Sequence, residues 1–458
     1  MIELGSRREL FVDHFLIEKL TGGASLQLHN PRDEGMVIPF DQPWEGAFCA
    51  YVTIIKDGSK YMAFYRGIPT AGQDGRADEV TCYAESKDGI RWTKPALGLF
   101  EYDGSKANNI ILAHAAPVTH NFSPFRDTRP GVEPDKRFKA LGGTQSSGLI
   151  AYTSPDGIHW KKWQEQPVFS DGAFDSQNVS FWSAAEQCYV LYFRTWRKQG
   201  EQKFRTVSRT TSTDFLHWSA PQQMQFGDAP LEHLYTNQTH PYFRAPHIYV
   251  AIAARFMPKR QILTEAQARE FNVIADYFKD CSDAMFMTSR GGADYDRTFM
   301  EAFIRPGIGL NNWVSRTNYP ALNVVQTGEN EMSVYVNQDY AQPGAHLHRY
   351  SLRLDGFASL HAPYRGGEMI TRPFKFEGTA LHLNFATSAA GGIRIEILDE
   401  AGNPIPGFEQ EKAQEIIGNE IERRVFWKEG SDLSALAGKP IRLRFSLKDA
   451  DVYGMWFR

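Results

Sequence analysis

The chain has 458 residues, 42% of them hydrophobic and 23% charged, the balance of an ordinary globular protein with two or three domains. A formal net charge of −4 gives no basic excess, which argues against nucleic acid and against an anionic membrane surface as partners. The opening residues M-I-E-L-G-S-R-R-E-L hold no apolar signal region and no run of ~18 apolar residues follows, so the expected location is the cytoplasm, with no membrane span.

Aromatic residues reach 13%, which favours sheets and sugar-binding surfaces over helical bundles. Residues 1–34 read as a strand segment that packs on a C-terminal domain or closes a ring. After them, a seven-residue phrase recurs: S-K-D-G-I-R-W at 86–92, S-P-D-G-I-H-W at 154–160 and S-T-D-F-L-H-W at 212–218. Weaker copies follow, T-S-R-G-G-A-D at 288–294 and Y-S-L-R-L-D-G-F at 350–357. Each is preceded by β-branched and aromatic runs, as in Y-V-T-I-I-K-D-G-S-K-Y-M-A-F-Y-R and V-S-F-W-S-A-A-E-Q-C-Y-V-L-Y-F-R. Three strands, a tight turn and a fourth strand at the Trp describe one propeller blade. Asp bonds its own backbone in such a turn and Gly supplies φ > 0, so these motifs are structural. The reading is an all-β protein: a five-bladed propeller over 35–365, then a β-sandwich over 366–458, where alternation continues without the repeated turn. Residues 263–280 have helical spacing, with Thr264 and Gln267 as a capping box, and are expected as a helix inserted between the second and third strands of blade four. The cysteines Cys49, Cys82, Cys188 and Cys281 are dispersed and read as free thiols.

In a propeller, the residues before each first strand and after each second strand emerge at one mouth of the channel. The first-strand entries bring Asp41 and Glu45 from blade one, His120 and Asn121 from blade two, and Asp175, Gln177 and Asn178 from blade three. Blade four brings Glu232, Tyr235 and Asn237, and blade five Trp313, Arg316 and Asn318. The second-strand exits bring Arg66, Arg194 and Arg255. These arginines either pair with the acids and hold the ring together or bind an anionic group on a sugar. Asp127, in P-F-R-D-T-R-P-G, falls in a hairpin and reads as a turn residue. No metal-ligand spacing stands out, and no cofactor is implied.

Five blades, the S-x-D-G-x-x-W turns, acids at the mouth and a C-terminal sandwich resemble the five-bladed propeller glycoside hydrolases of families 32, 43 and 68. The stretches P-W-E-G (43–46), S-K-D-G-I-R-W-T-K-P (86–95), Y-F-R-A-P (242–246) and L-A-G-K-P-I-R-L-R-F-S-L-K-D-A-D (436–451) are similar, over nearly the whole chain, to uncharacterised bacterial family-32-like glycosyl hydrolases. The resemblance implies three working carboxylates, one each from blades one, two and three. Blade one offers Glu45 or Asp41 and blade three Asp175. Blade two departs, with His120 and Asn121 where an acid is implied, and the W-x-N-D-P-N-G-type opening is absent.

The expected activity is an exo-acting glycoside hydrolase on an oligosaccharide, neutral or anionic. Asp175 or Glu45 would be base or nucleophile and Glu232, substituting for the missing acid, would be the proton donor. His120, Tyr235, Asn237 and the arginines would position the sugar, with Trp44 or Trp313 as a stacking platform. Competing readings on the same ring are a glycoside phosphorylase, a lyase and a non-catalytic sugar-binding propeller. Pairing through the sandwich would give a homo-oligomer.

Overall fold

The structure is a computed structural model that describes residues 1–70 and 75–458. Its repeated turns show why the phrase is written three times. Ser86 Oγ accepts the backbone N–H groups of Asp88 (3.1 Å) and Gly89 (2.9 Å), and Asp88 Oδ1 accepts those of Ile90 (2.9 Å) and Arg91 (2.8 Å). Trp92 Nε1 then donates to the Gly89 carbonyl at 3.1 Å. The same bonds recur around Ser154, Asp156 and Trp160, and around Ser212, Asp214 and Trp218. Burial works to raise the three aspartates, but the donated hydrogen bonds outweigh it and hold each carboxyl well below its usual range. The tryptophans pack between blades: Trp160 lies edge-on to Phe64 of blade one at 6.4 Å, and Trp92 edge-on to Tyr335 of blade five at 6.0 Å.

Five antiparallel sheets follow in sequence. Blade one is Ala50–Asp57, Lys60–Gly67 and Val80–Ser86, with Trp92–Thr93 and Ile110–Leu112 both paired to Val80–Ser86. Blade two is Ser123–Arg126, Phe138–Gly142, Ile150–Ser154 and Lys161–Lys162. Blade three is Val179–Ser183, Cys188–Gln199, Gln202–Ser212 and Gln222–Gln223. Blade four has Thr239–Tyr242 and His233–Leu234 inside, then Ala245–Met257, Cys281–Ser289 and Ala302–Ile304. Blade five has Tyr319–Pro320 and Val325–Gln326 inside, then Glu331–Gln338 and His346–Arg353. Its fourth strand is Arg32–Pro39, from the start of the chain, with Ile38 opposite Leu347. The inner strands contact one another in order, and Leu322 of blade five bonds Val52 and Ile54 of blade one at 2.8 and 3.0 Å, which closes the ring.

Polar side chains plug the channel. Gln177 Nε2 donates to Thr53 Oγ1 at 2.8 Å, and Gln238 Nε2 donates to Gln177 Oε1 at 2.7 Å and to the Pro320 carbonyl at 2.6 Å. Blades one, three, four and five are thereby tied together by buried, hydrogen-bonded groups.

The remaining residues form a second unit, Met1–Asn30 with Leu352–Arg458. Ten strands hydrogen-bond into one sheet around an apolar core that includes Phe385, Ile395, Trp427, Leu443 and Phe445. Its two long strands, Leu381–Asp399 and Ile441–Phe457, shift register between Thr387 and Gly392, an irregularity of the kind that lets one strand serve two layers.

Three expectations need correction. The division falls at 30/31 and 351/352, not at 34/35 and 365/366, because residues 32–39 are the ring-closing strand and Ala358–Ala362 already pairs with Ser25–Leu28. The fifth turn copy does not lead to a blade's fourth strand: Asp355 accepts from Arg8 and Asn384 inside the second unit. The inserted helix is Glu265–Glu270 only, with the Thr264–Gln267 capping box in place. It ends at Phe271 because Asn272 and Ala275 take φ of +53° and +48°. All four cysteines are free, three buried and Cys188 partly so.

Candidate functional site

The residues just before the plug line a pit of about 140 Å³ at one channel mouth. Tyr51 precedes Thr53, Asp175 precedes Gln177 and Tyr235 precedes Gln238, so the plug is the floor. Blade one contributes Tyr51, Arg66 and Glu79; blade three Asp175 and Arg205; blade four Tyr235 and, from its insertion, Tyr277; blade five Arg316 and Tyr340. Two of these hold a left-handed backbone, Tyr51 at φ +56° and Arg316 at φ +58°. Such a conformation costs on the order of 1–3 kcal/mol for a bulky side chain and concentrates at functional sites.

Asp175 carries the pit's accessible carboxylate. Its side chain is 40% exposed, while that of Arg194, which donates to Asp175 Oδ2 at 2.6 Å, is 5% exposed. Asp175 Oδ1 lies 3.6 Å from His120 Nε2. On the other side of the ring, His120 Nδ1 lies 3.1 Å from both oxygens of Glu79. One imidazole thus joins carboxylates from blades three and one. Burial pulls the His120 pKa down, but the bonds to Asp175 and Glu79 more than offset this and hold it above its ordinary value. Arg66 donates to the Phe48 carbonyl (2.8 Å) and contacts His120 Nδ1 (3.2 Å) while lying over the Tyr51 ring. Burial raises the hydroxyl pKa of Tyr51, with Asp175 adding to it, and pushes Tyr340 up to about 12, so both remain hydrogen-bond donors.

The geometry therefore brings together Asp175, His120, Arg66, Arg194, Tyr235 and Arg316. It does not gather the other expected residues. Glu45 is fully buried, its oxygens taken by Tyr65 Oη (2.6 Å), Lys94 Nζ (2.6 Å) and the Gln42 N–H (3.1 Å). Asp41 is exposed and shares Lys94. Glu232 pairs with Arg255 (3.2 Å) and Arg297 (2.6 Å) at the edge of a separate cavity of about 600 Å³, which Trp313 also lines. Arg255 is committed to Asp283 and Glu232. Asn121, Asn178 and Asn237 are buried loop locks: Asn121 spans the Gly143, Phe174 and Ser176 carbonyls, Asn178 repeats the last two, and Asn237 caps the Thr239 N–H. Trp44 donates to Asn109 and packs against Tyr102, away from the pit. Asp127 accepts the Arg129 N–H and the Tyr189 hydroxyl (2.6 Å) and pairs with the buried Lys139, as a turn residue would.

Glu79, Arg205 and Tyr277 were not anticipated. They come from the third strands and from the connections between second and third strands, which open at the same mouth. The signal was length: residues 68–79 and 258–280 are far longer than a hairpin between paired strands needs.

No family model matches the chain, and no curated protein matches it. Among solved structures the chain is similar to one described as a glycoside hydrolase, at 12% identity and TM-score 0.45, over 71% of this chain and 92% of that one. It is also similar to an N-acetylgalactosamine deacetylase from F. plautii in complex with blood group B trisaccharide, at 13% identity and TM-score 0.43, over 77% and 96%. A member of the GH130 family, which contains mannoside phosphorylases and glycoside hydrolases that target β-1,2-mannosidic linkages, aligns at 13% identity and TM-score 0.38, over 72% and 94%.

Proposed function

We propose that this protein is a glycoside hydrolase that removes sugars from a chain end, with Asp175 and Glu79 as its working carboxylates. What supports this reading is one arrangement: two carboxylates facing a dead-end pit, with His120 bridging them. A plugged channel admits a terminal sugar and stops it, which suits exo action. Hydrolysis needs a base on one side of the sugar and an acid at the leaving oxygen. Asp175, ion-paired with Arg194, is the base. It takes a proton from water as the water oxygen attacks the anomeric carbon. The bond to the leaving oxygen breaks, and that oxygen takes a proton that Glu79 passes on from His120 Nδ1. Asp175 then gives its proton to water and His120 Nδ1 takes one back, which resets the site. Tyr51 and Tyr340 donate hydrogen bonds to sugar hydroxyls.

The test is turnover of a panel of aryl glycosides and oligosaccharides by the wild type and by Asp175→Asn. Loss of about 10²–10⁴ in kcat is expected for the variant, with the fold unchanged by circular dichroism. Retention of more than about a tenth of wild-type kcat would sink the assignment of Asp175.

A further inference from the structure

We infer that the pit selects an acidic sugar, a glycuronic acid residue whose carboxylate seats between Arg205 and Arg316. The inference rests on the reading of the pit as a sugar site. Its arginines fall into two kinds. Arg194 is committed to Asp175, and Arg66 to His120 and the Phe48 carbonyl. Arg205 and Arg316 instead stand among aromatic rings. Arg205 lies over Trp196 (5.0 Å), Tyr235 (5.3 Å) and Phe256 (5.1 Å), and its buried Nε has no hydrogen-bond partner. Arg316 lies over Tyr235 (5.2 Å) and Tyr277 (4.9 Å), and its Nε donates to Tyr235 Oη at 3.3 Å. Among the described residues, neither guanidinium forms an ion pair with a carboxylate. The neighbouring acid Asp280 acts on both arginines through space but pairs directly with neither: burial raises its pKa, and its hydrogen bond goes to Ser315.

Two cations packed against one tyrosine, with only the buried Asp280 near them and no direct ion pair, are costly to hold. A ligand oxyanion accepting from both forks removes that cost. Asp175 and Glu79, which line the same pit, repel anions, so the ligand must keep its charge away from them. The pit, about 140 Å³, is small enough to limit the ligand to a single sugar residue. One pyranose ring with a carboxylate at its far end meets both requirements. Inorganic phosphate, charged on every side, would not keep its charge away from them.

Calorimetric titration of the full chain with glucuronate, galacturonate, glucose, galactose and inorganic phosphate tests this. A uronate is expected to bind at least about tenfold tighter than its neutral counterpart, and Arg316→Met and Arg205→Met are each expected to weaken that binding by about tenfold or more. Should either Met variant fail to fold, Arg316→Lys and Arg205→Lys keep the charge without the fork and are expected to show a smaller loss. Equal affinity for acidic and neutral sugars overturns the inference, as does undiminished uronate binding in folded variants at both positions. Phosphate binding without uronate binding also overturns it and gives the corner to a phosphate co-substrate. Asp175→Asn is expected to keep uronate binding while losing turnover; a wild-type protein that binds uronate but turns over no glycoside refutes the hydrolase reading alone.

Discussion

Replacing Glu79 by Gln keeps the shape of the side chain and removes the charge opposite His120 Nδ1. In the native fold His120 is buried between two carboxylates, and its pKa stands above the ordinary value because hydrogen bonds to Asp175 and Glu79 outweigh the burial that would lower it. A raised folded-state pKa contributes stability that is fully present below the unfolded value, near 6.5, and is lost as pH rises through the folded value. Without Glu79 one support is gone, burial gains weight and the folded-state pKa falls. Each unit of that fall is worth about 1.4 kcal/mol at acid pH. The exchange of an ionic for a neutral hydrogen bond at Nδ1 costs about 1 kcal/mol at any pH. The variant should therefore be less stable by roughly 2–3 kcal/mol at pH 5 and by about 1 kcal/mol at pH 8. Urea unfolding followed by tryptophan fluorescence reads this out, since eight of the ten tryptophans lie in the propeller unit. The same preparation should lose hydrolase turnover at both pH values, because Glu79 is also the proposed acid. A stability gap equal at the two pH values, or wider at pH 8, refutes the reading of His120 as a cation held by Glu79.

Lys139 and Asp127 are both buried, so Lys139→Met leaves a carboxylate with only Tyr189 and one N–H; about 3–5 kcal/mol of destabilisation is expected in the same unfolding assay, and most of it should return in Lys139→Met with Asp127→Asn. Asp156→Ala removes a carboxylate that accepts two backbone N–H groups, and about 1 kcal/mol should be lost at pH 7. Because the folded-state pKa of Asp156 is depressed, that contribution is present above the unfolded value near 3.9 and shrinks as pH falls through the folded value, so wild type and variant should converge near pH 2. Glu79 and Asp175 have an imidazole ring between them, which sets them wider apart than the roughly 5–5.5 Å of a retaining pair; proton NMR of the first-formed sugar should show inversion at the anomeric carbon, and retention would exclude this pair as the reacting carboxylates.

The blades were legible because each carries the same local chemistry. Ser and Asp at fixed spacing, followed by a residue at positive φ (Gly89, Gly157 or Phe215), make one turn, and three copies return the same hydrogen bonds. The same locality explains the misleading fifth copy: L-D-G makes a turn around Asp355 without any blade to continue. The ring closure was not legible, since Arg32–Pro39 finds its partner some 310 residues away and nothing local marks the pairing. At the site, the rule of strand entries and exits led to Asp175, His120, Arg66 and Arg194, which the structure brings together. Glu45 and Glu232 obey the same rule, yet they are turned aside by Lys94 and Arg297, which arrive from loops after the third strand of their blades. A spacing rule places a backbone at a mouth; the partner that captures its side chain comes from elsewhere in the chain.

The plug explains why these captures matter. A propeller channel left open would present a ring of polar entries to water from both ends. Here Gln177, Gln238 and Thr53 seal it one layer below the pit, and the apolar residues beyond them, such as Ile54, Phe181 and Leu322, line a separate cavity of about 690 Å³ at the other mouth. Inside the sealed pit a charge without a partner is expensive. Glu45 and Glu232 find cations outside it, and Asp175 finds Arg194 at its wall. Arg205 and Arg316 form no direct ion pair among the described residues, and we assign them to a ligand's carboxylate. If so, an acidic sugar should stabilise the folded protein against heat, and the gain should disappear in Arg316→Met.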